Sequence, residues 1–209
     1  MTSSIQPIAL RNGFAIEDPL SVVLGFLDEH WLQSDVSQGS EPGSFGEADL
    51  RRANRGGARI SAAEIGAILA RRRTIEEALQ AIAPRASLPG AATSVPWRSL
   101  RELFDAFADI QGVGFSKMTK TLHHKRPALI PMLDSVVQKY LRDDDLGADA
   151  PFGERALELV RGYKRDLDRN QTAIRAVRRE VASRGHALTE VRILDLLIWS
   201  LPASRYRRT

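Results

Sequence analysis

Apolar residues recur at three- and four-residue spacing along most of this chain, and nowhere do they alternate with polar ones for the length of a strand. That pattern confines the chain to helix-on-helix packing. Val22, Val23, Phe26, Leu27 and Trp31 form one stripe within a first predicted helix over residues 18–32. Residues 33–44 are polar and rich in Ser and Gly, as a loop is. A short helix over 45–54 is interrupted by the glycine pair at 56–57. Ser61 with Glu64, and Thr74 with Glu77, both carry the capping-box spacing, so each predicts a helix start, the second helix running through Ile82. Residues 96–109 predict a helix with Leu100, Leu103, Phe104 and Phe107 inward. Residues 135–142 form a short helix that the stretch 143–151 breaks. Segments 152–168, 169–184 and 189–201 close the chain as helices. The expected fold is all-α, a single helical domain of nine or ten helices in two lobes, about 1–95 and 96–209. A Pro-, Ala- and Ser-rich linker at 84–96 joins the lobes, and the N-terminal helix packs on the second one.

The chain of 209 residues can bury a substantial core, since folding at this size removes about 70% of the unfolded surface. It has no cysteine, which excludes disulfides, zinc–thiolate sites, iron–sulfur clusters and thiol catalysis. No apolar run approaches the ~20 residues needed to span a membrane. Residues 1–12 lack a basic-then-apolar signal pattern, so a soluble, cytoplasmic protein with no membrane partner is expected. Positive charge gathers in the second half. Residues 110–142 hold six basic groups against one acid, Asp134. A polyanion-binding surface requires such a field, and an ordinary solvated basic face produces it too.

Residues 107–122 carry the most information. Phe107 and Ile110 face inward from one predicted helix, Gly112, Val113 and Gly114 turn the chain, and Met118 and Leu122 face inward from the next. The glycines let the backbone turn sharply and approach another surface, while Val113 plugs the two helices together. The first amides of the second helix then face outward, with the positive end of the helix dipole behind them. That geometry receives a phosphate. Lys117 and Lys120 lie one turn in, on nearly the same side, within reach of neighbouring phosphates. A plain glycine-rich turn between packed helices is the simpler account. Beyond the turn, Pro127 and Pro131 hold an extended apolar connector that ends at Asp134, in the position of an N-cap for the helix that follows.

This pattern resembles the helix-hairpin-helix motif of DNA-binding proteins, departing at Met118, where that motif usually has Ala. Hairpin, connector, Asp and Val-rich helix together resemble the helix-hairpin-helix DNA glycosylase superfamily, of the endonuclease III and alkyladenine type. They also resemble bacterial proteins of unknown function that share the Gly-Val-Gly and Lys-Arg-Pro signatures. The specific match covers only about 35 residues. The resemblance implies a two-lobed helical glycosylase-type fold, here without the iron–sulfur cluster. It implies double-stranded DNA as partner, gripped through Gly112, Val113, Gly114, Ser116, Lys117 and Lys120. It makes Asp134 the catalytic carboxylate, with Val137 on the helix behind it, and the reaction the excision of a modified base. A monovalent cation at the hairpin belongs to the same expectation; no other cofactor or metal is expected. Strand-cutting relatives place a Lys nucleophile where this chain has Ser116, so a monofunctional enzyme is expected. The alternative is a non-catalytic DNA-binding or interaction module, in which Asp134 only caps its helix.

Other residues read as secondary. His123 and His124 are adjacent and make a poor metal pair; a surface or phosphate-contact role suits them better. Trp31, Trp97 and Trp199 read as core or interface, and Phe115 as packing. The loop 51–59, with Asn54, Gly56 and Gly57, is a candidate to probe the duplex opposite the hairpin.

Overall fold

A computed structural model of the protein describes residues 5–28 and 41–201. Among these, ten α-helices follow one another: α1 Pro19–Asp28, α2 Glu47–Arg55, α3 Ala62–Ala70, α4 Arg72–Gln80, α5 Trp97–Asp105, α6 Phe115–His123, α7 Ser135–Tyr140, α8 Phe152–Arg169, α9 Gln171–Ser183 and α10 Glu190–Trp199. Trp31, most of the polar loop 33–44 and the basic tail after Leu201 lie outside the described residues. The fold is predominantly helical, and no helix among the described residues is long and apolar enough to cross a membrane.

The purely helical expectation needs one correction. Ile8–Ala9 and Ala15–Ile16 pair as a two-stranded antiparallel hairpin, with Ile8 opposite Ile16. Strands of two residues are too short to show alternation. The pair is fixed by distant partners. The Asn170 side chain accepts from the Ala9 amide at 2.9 Å and donates to the Ala9 carbonyl at 2.8 Å. Arg11 bonds the carboxylates of Asp144 and Asp166, and the Tyr140 hydroxyl donates to Asp166 at 3.1 Å. Helix α1 in turn packs against α9 and α10.

Ser61 caps α3 as expected. Its hydroxyl accepts from the Glu64 amide at 3.3 Å, and the Glu64 carboxylate accepts from the Ser61 amide at 2.8 Å. Thr74 does not cap; it lies inside α4, which starts at Arg72 with Arg71 alone between the two helices. The Arg71 side chain donates to the Ala108 carbonyl at 2.5 Å, anchoring this junction. Glu76 and Glu77 pair instead with Arg72 and Arg73 one turn back. Leu100, Leu103, Phe104 and Phe107 are fully buried, and they belong to one apolar cluster that also includes Leu50, Leu79, Tyr163 and Leu194.

Two of the six basic groups in 110–142 are not surface charge. Lys125 forms a buried ion pair with Asp49 of α2 at 2.8 Å. Arg126, 1% exposed, donates to the carbonyls of Leu79 and Ile82 at 2.7 Å each, of Lys125 at 2.8 Å and of Pro42 at 2.9 Å. It bonds carbonyls at and just beyond the C-terminal end of α4, where a cation suits the negative end of that dipole. The positive field on this stretch is correspondingly smaller than the sequence implied.

Candidate nucleic-acid interface and groove

The chain leaves α5 at Asp105, turns twice, and enters α6 at Phe115. Ile110 and Val113 are buried at the turn, and the Val113 amide donates to the Ile110 carbonyl at 3.0 Å. Gly112, at φ +81°, occupies the left-handed region that favours glycine. Gly114 does not: its φ of −93° and ψ of −175° suit any residue, and a Cβ there would meet nothing within 4 Å. Only one of the two glycines is therefore demanded by the turn. Both are exposed, and no side chain caps the start of α6. Ser116 and Lys117 are half-buried on its first turn. Phe115 packs against Phe152 with ring centroids 4.8 Å apart.

The two hairpin lysines part company. Lys117 is ion-paired with Glu64 of α3 at 2.6 Å, and that carboxylate lies against Gly112 so closely that a Cβ on the glycine would collide with it. Lys120 points elsewhere and donates to the Gly57 carbonyl at 3.3 Å. Sequence reasoning read Glu64 only as a capping residue; its second carboxylate oxygen is what reaches across to the hairpin. Its pKa is held below the usual 4.5, first by the hydrogen bond from Lys117 and then by the Ser61 amide. The folded state therefore gains from this carboxylate above about pH 4.5, and the gain is lost as pH falls through the lowered value. E64Q should be less stable than the wild type at neutral pH, and the two should converge in acid, as urea unfolding at both conditions would record.

A second prediction arises at the same turn. G112A combines a strained φ with the Glu64 collision and should cost about 1–3 kcal/mol. G114A should change stability by less than about 0.5 kcal/mol. Denaturant midpoints of the two variants check the contrast.

Asp134 stands where the sequence placed it, as N-cap of α7. Its Oδ1 accepts from the Val136 and Val137 amides at 3.0 Å each. No bond to the described residues engages Oδ2. The side chain lines an open groove of about 380 Å³ whose other walls include Arg55, Gly56, Gly57, Lys120 and Trp199. The glycine loop is rigidly built. The Gly57 amide donates to the Asn54 carbonyl and the Ala58 amide to the Ala53 carbonyl, with Gly57 at φ +78°, the Schellman ending of α2. The Asn54 side chain then clamps both the amide and the carbonyl of Ile60. Trp199 is backed by the Arg192 guanidinium, 4.8 Å from its ring centroid. The Gly56–Gly57 loop thus reaches the Asp134 groove, and Trp199 becomes part of its wall.

Behind the groove lies Asp195 of α10, fully buried, its Oδ2 accepting from the Met132 amide at 3.4 Å and its Oδ1 without a hydrogen bond. Burial pushes its pKa up to about 7, with Arg192 opposing and Asp134 adding to the shift. The last helix carries Glu190, Arg192 and Asp195 inside among its apolar residues. His123, expected at the surface, is buried with Nδ1 2.7 Å from the Ile130 carbonyl. The described residues contain no group of three or more His, Asp or Glu side chains suited to a metal ion. The Ile110 carbonyl at the hairpin accepts the Val113 amide.

No curated protein and no solved structure matches this chain. A family model described as a family of unknown function, DUF6308, matches residues 33–202. That match spans most of the sequence, and the chain belongs to this family.

Proposed function

We propose that the protein binds duplex DNA across the hairpin and the Asp134 groove, and that it hydrolyses the glycosidic bond of a modified base without cutting the strand. The observation that carries this reading is the placement of Asp134 on an open groove that also holds Lys120, a rigid glycine loop and a tryptophan face. The target nucleotide rotates out of the stack into the groove, where Trp199 offers its base an apolar face. As the glycosidic bond breaks, positive charge develops on the sugar, and the Asp134 carboxylate stabilises it or orients the attacking water. Lys120 supplies a cation for an adjacent phosphate. Exposed amides at the start of α6 grip the backbone without reading sequence. No step uses a metal ion. The helical hairpin followed by this carboxylate supports a glycosylase-type arrangement of the fold.

The second reading is a binding module without catalysis, and one feature opposes the backbone grip in both readings. Glu64 stands over Gly112 and Lys117, where a phosphate would dock. The same feature yields a prediction: E64Q frees Lys117 and should tighten duplex binding about two- to fivefold. Fluorescence anisotropy against salt concentration measures this, and binding should weaken steeply as salt rises. An abasic-site assay over a panel of modified-base duplexes tests catalysis. Release of a base supports the first reading; salt-sensitive binding with no release across the panel supports the second.

A further inference from the structure

Asp195 takes no part in the reaction proposed above, yet it touches the parts that build the groove. It lies on α10 one turn before Trp199, a groove wall. Its Oδ2 accepts from the amide of Met132, two residues before Asp134. The side chain is 0% exposed, and Oδ1 has no hydrogen bond. One amide at 3.4 Å is a long bond and a poor answer to a buried negative charge.

The surroundings favour the acid form. Burial is the largest influence and pushes the pKa up to about 7. Arg192, on α10 itself, opposes this, and Asp134 at the start of α7 adds a like charge. The Tyr163 hydroxyl of α8 would steady a carboxylate by turning its proton toward it. That proton goes instead to the Val191 carbonyl at 2.6 Å, which leaves the phenol oxygen free to accept. Burial also pushes the Tyr163 phenol well above its usual 10, so it stays neutral throughout. Helices α1 and α9 pack on α10 as well. The first has no ionisable side chain before Asp28 at its end, and Arg175 and Arg178 of the second reach Glu190.

We propose that Asp195 is a positioning residue that works as the neutral acid: uncharged, it holds the Met132 amide and leaves Asp134 as the acid that faces the groove; ionised, it turns the groove off. An ionised carboxylate at this position needs water or further donors. Drawing them in shifts α10 or the connector to Asp134, and either shift moves a wall. The role rests on the groove binding duplex DNA.

Carboxyl carbon NMR of the unmodified protein, assigned through the backbone, should show Asp195 titrating near pH 7. Unfolding gives a second readout. The unfolded chain ionises this group near the usual 3.8, so the folded state loses stability as pH rises from there, and the loss is complete above the raised value. D195N carries no charge, and its urea midpoint should gain on that of the wild type as pH rises. Duplex affinity, by fluorescence anisotropy, should fall about tenfold between about pH 6 and about pH 8 as the competent fraction falls. D195N should lack that fall, whatever its absolute affinity. A signal that titrates below about pH 5, or an equal fall in D195N, would overturn the proposal. A wild type that binds no duplex at any pH, with the NMR and unfolding results as expected, overturns the groove reading and this role with it.

Discussion

D134N should lose base excision by about a hundredfold or more while keeping its fold and its hold on duplex DNA. Asn and Asp are equivalent as helix N-caps. The Asn side-chain oxygen can accept from the Val136 and Val137 amides as Oδ1 does now, so α7 starts in the same place. What disappears is the negative charge that faces the groove. Loss of one preorganised stabilising group costs about 10²–10³ in rate. Release of abasic product from a modified-base duplex, followed beside thermal melting and duplex binding, separates the two roles. Activity that survives D134N would eliminate Asp134 as the carboxylate that acts on the sugar. A large fall in melting temperature would mean that the charge, and not merely the hydrogen bonds, holds the helix start.

The largest stability effect should come from R126A. Its guanidinium bonds four carbonyl oxygens, and truncation removes all four bonds from a largely buried site. Each buried carbonyl left without its partner costs about 1–3 kcal/mol, against a total of about 5–15 kcal/mol for a typical domain. R126K should be nearly as damaging, because a single ammonium cannot reproduce the planar fork. R73A is the control: Arg73 is 93% exposed in its pair with Glu77, and its loss should cost under about 1 kcal/mol. Urea unfolding of the three variants gives the comparison.

The sequence made the long helices legible because their apolar stripes are local. It located α8, α9 and α10 closely, the start of α5 but not its end at Asp105, the Ser61 cap, the turn at Gly112 and the cap at Asp134. It failed where the deciding partner is remote. Thr74 had the spacing of a cap, but Arg71, tied to Ala108, lets the helix restart earlier. Lys125 and Arg126 looked like surface charge because nothing local reveals that α2 and the end of α4 receive them. Lys117 looked free because its partner Glu64 is 53 positions away. Asp195 and Arg192 sit in a run of large apolar residues, and nothing local marks them as buried charges. The groove itself is assembled from α2, α6, α7 and α10, and no single window contains it.

The Asn170 clamp on Ala9 spans 161 positions, and α1 likewise lies on α9 and α10. During synthesis the two short strands and α1 lack these partners until α9 and α10 have followed them. These contacts can close only after α10 has been made, and contacts of such long range should slow folding relative to a helical bundle with local contacts alone. Until then the apolar stripe of α1 is a surface that chaperones would be expected to cover.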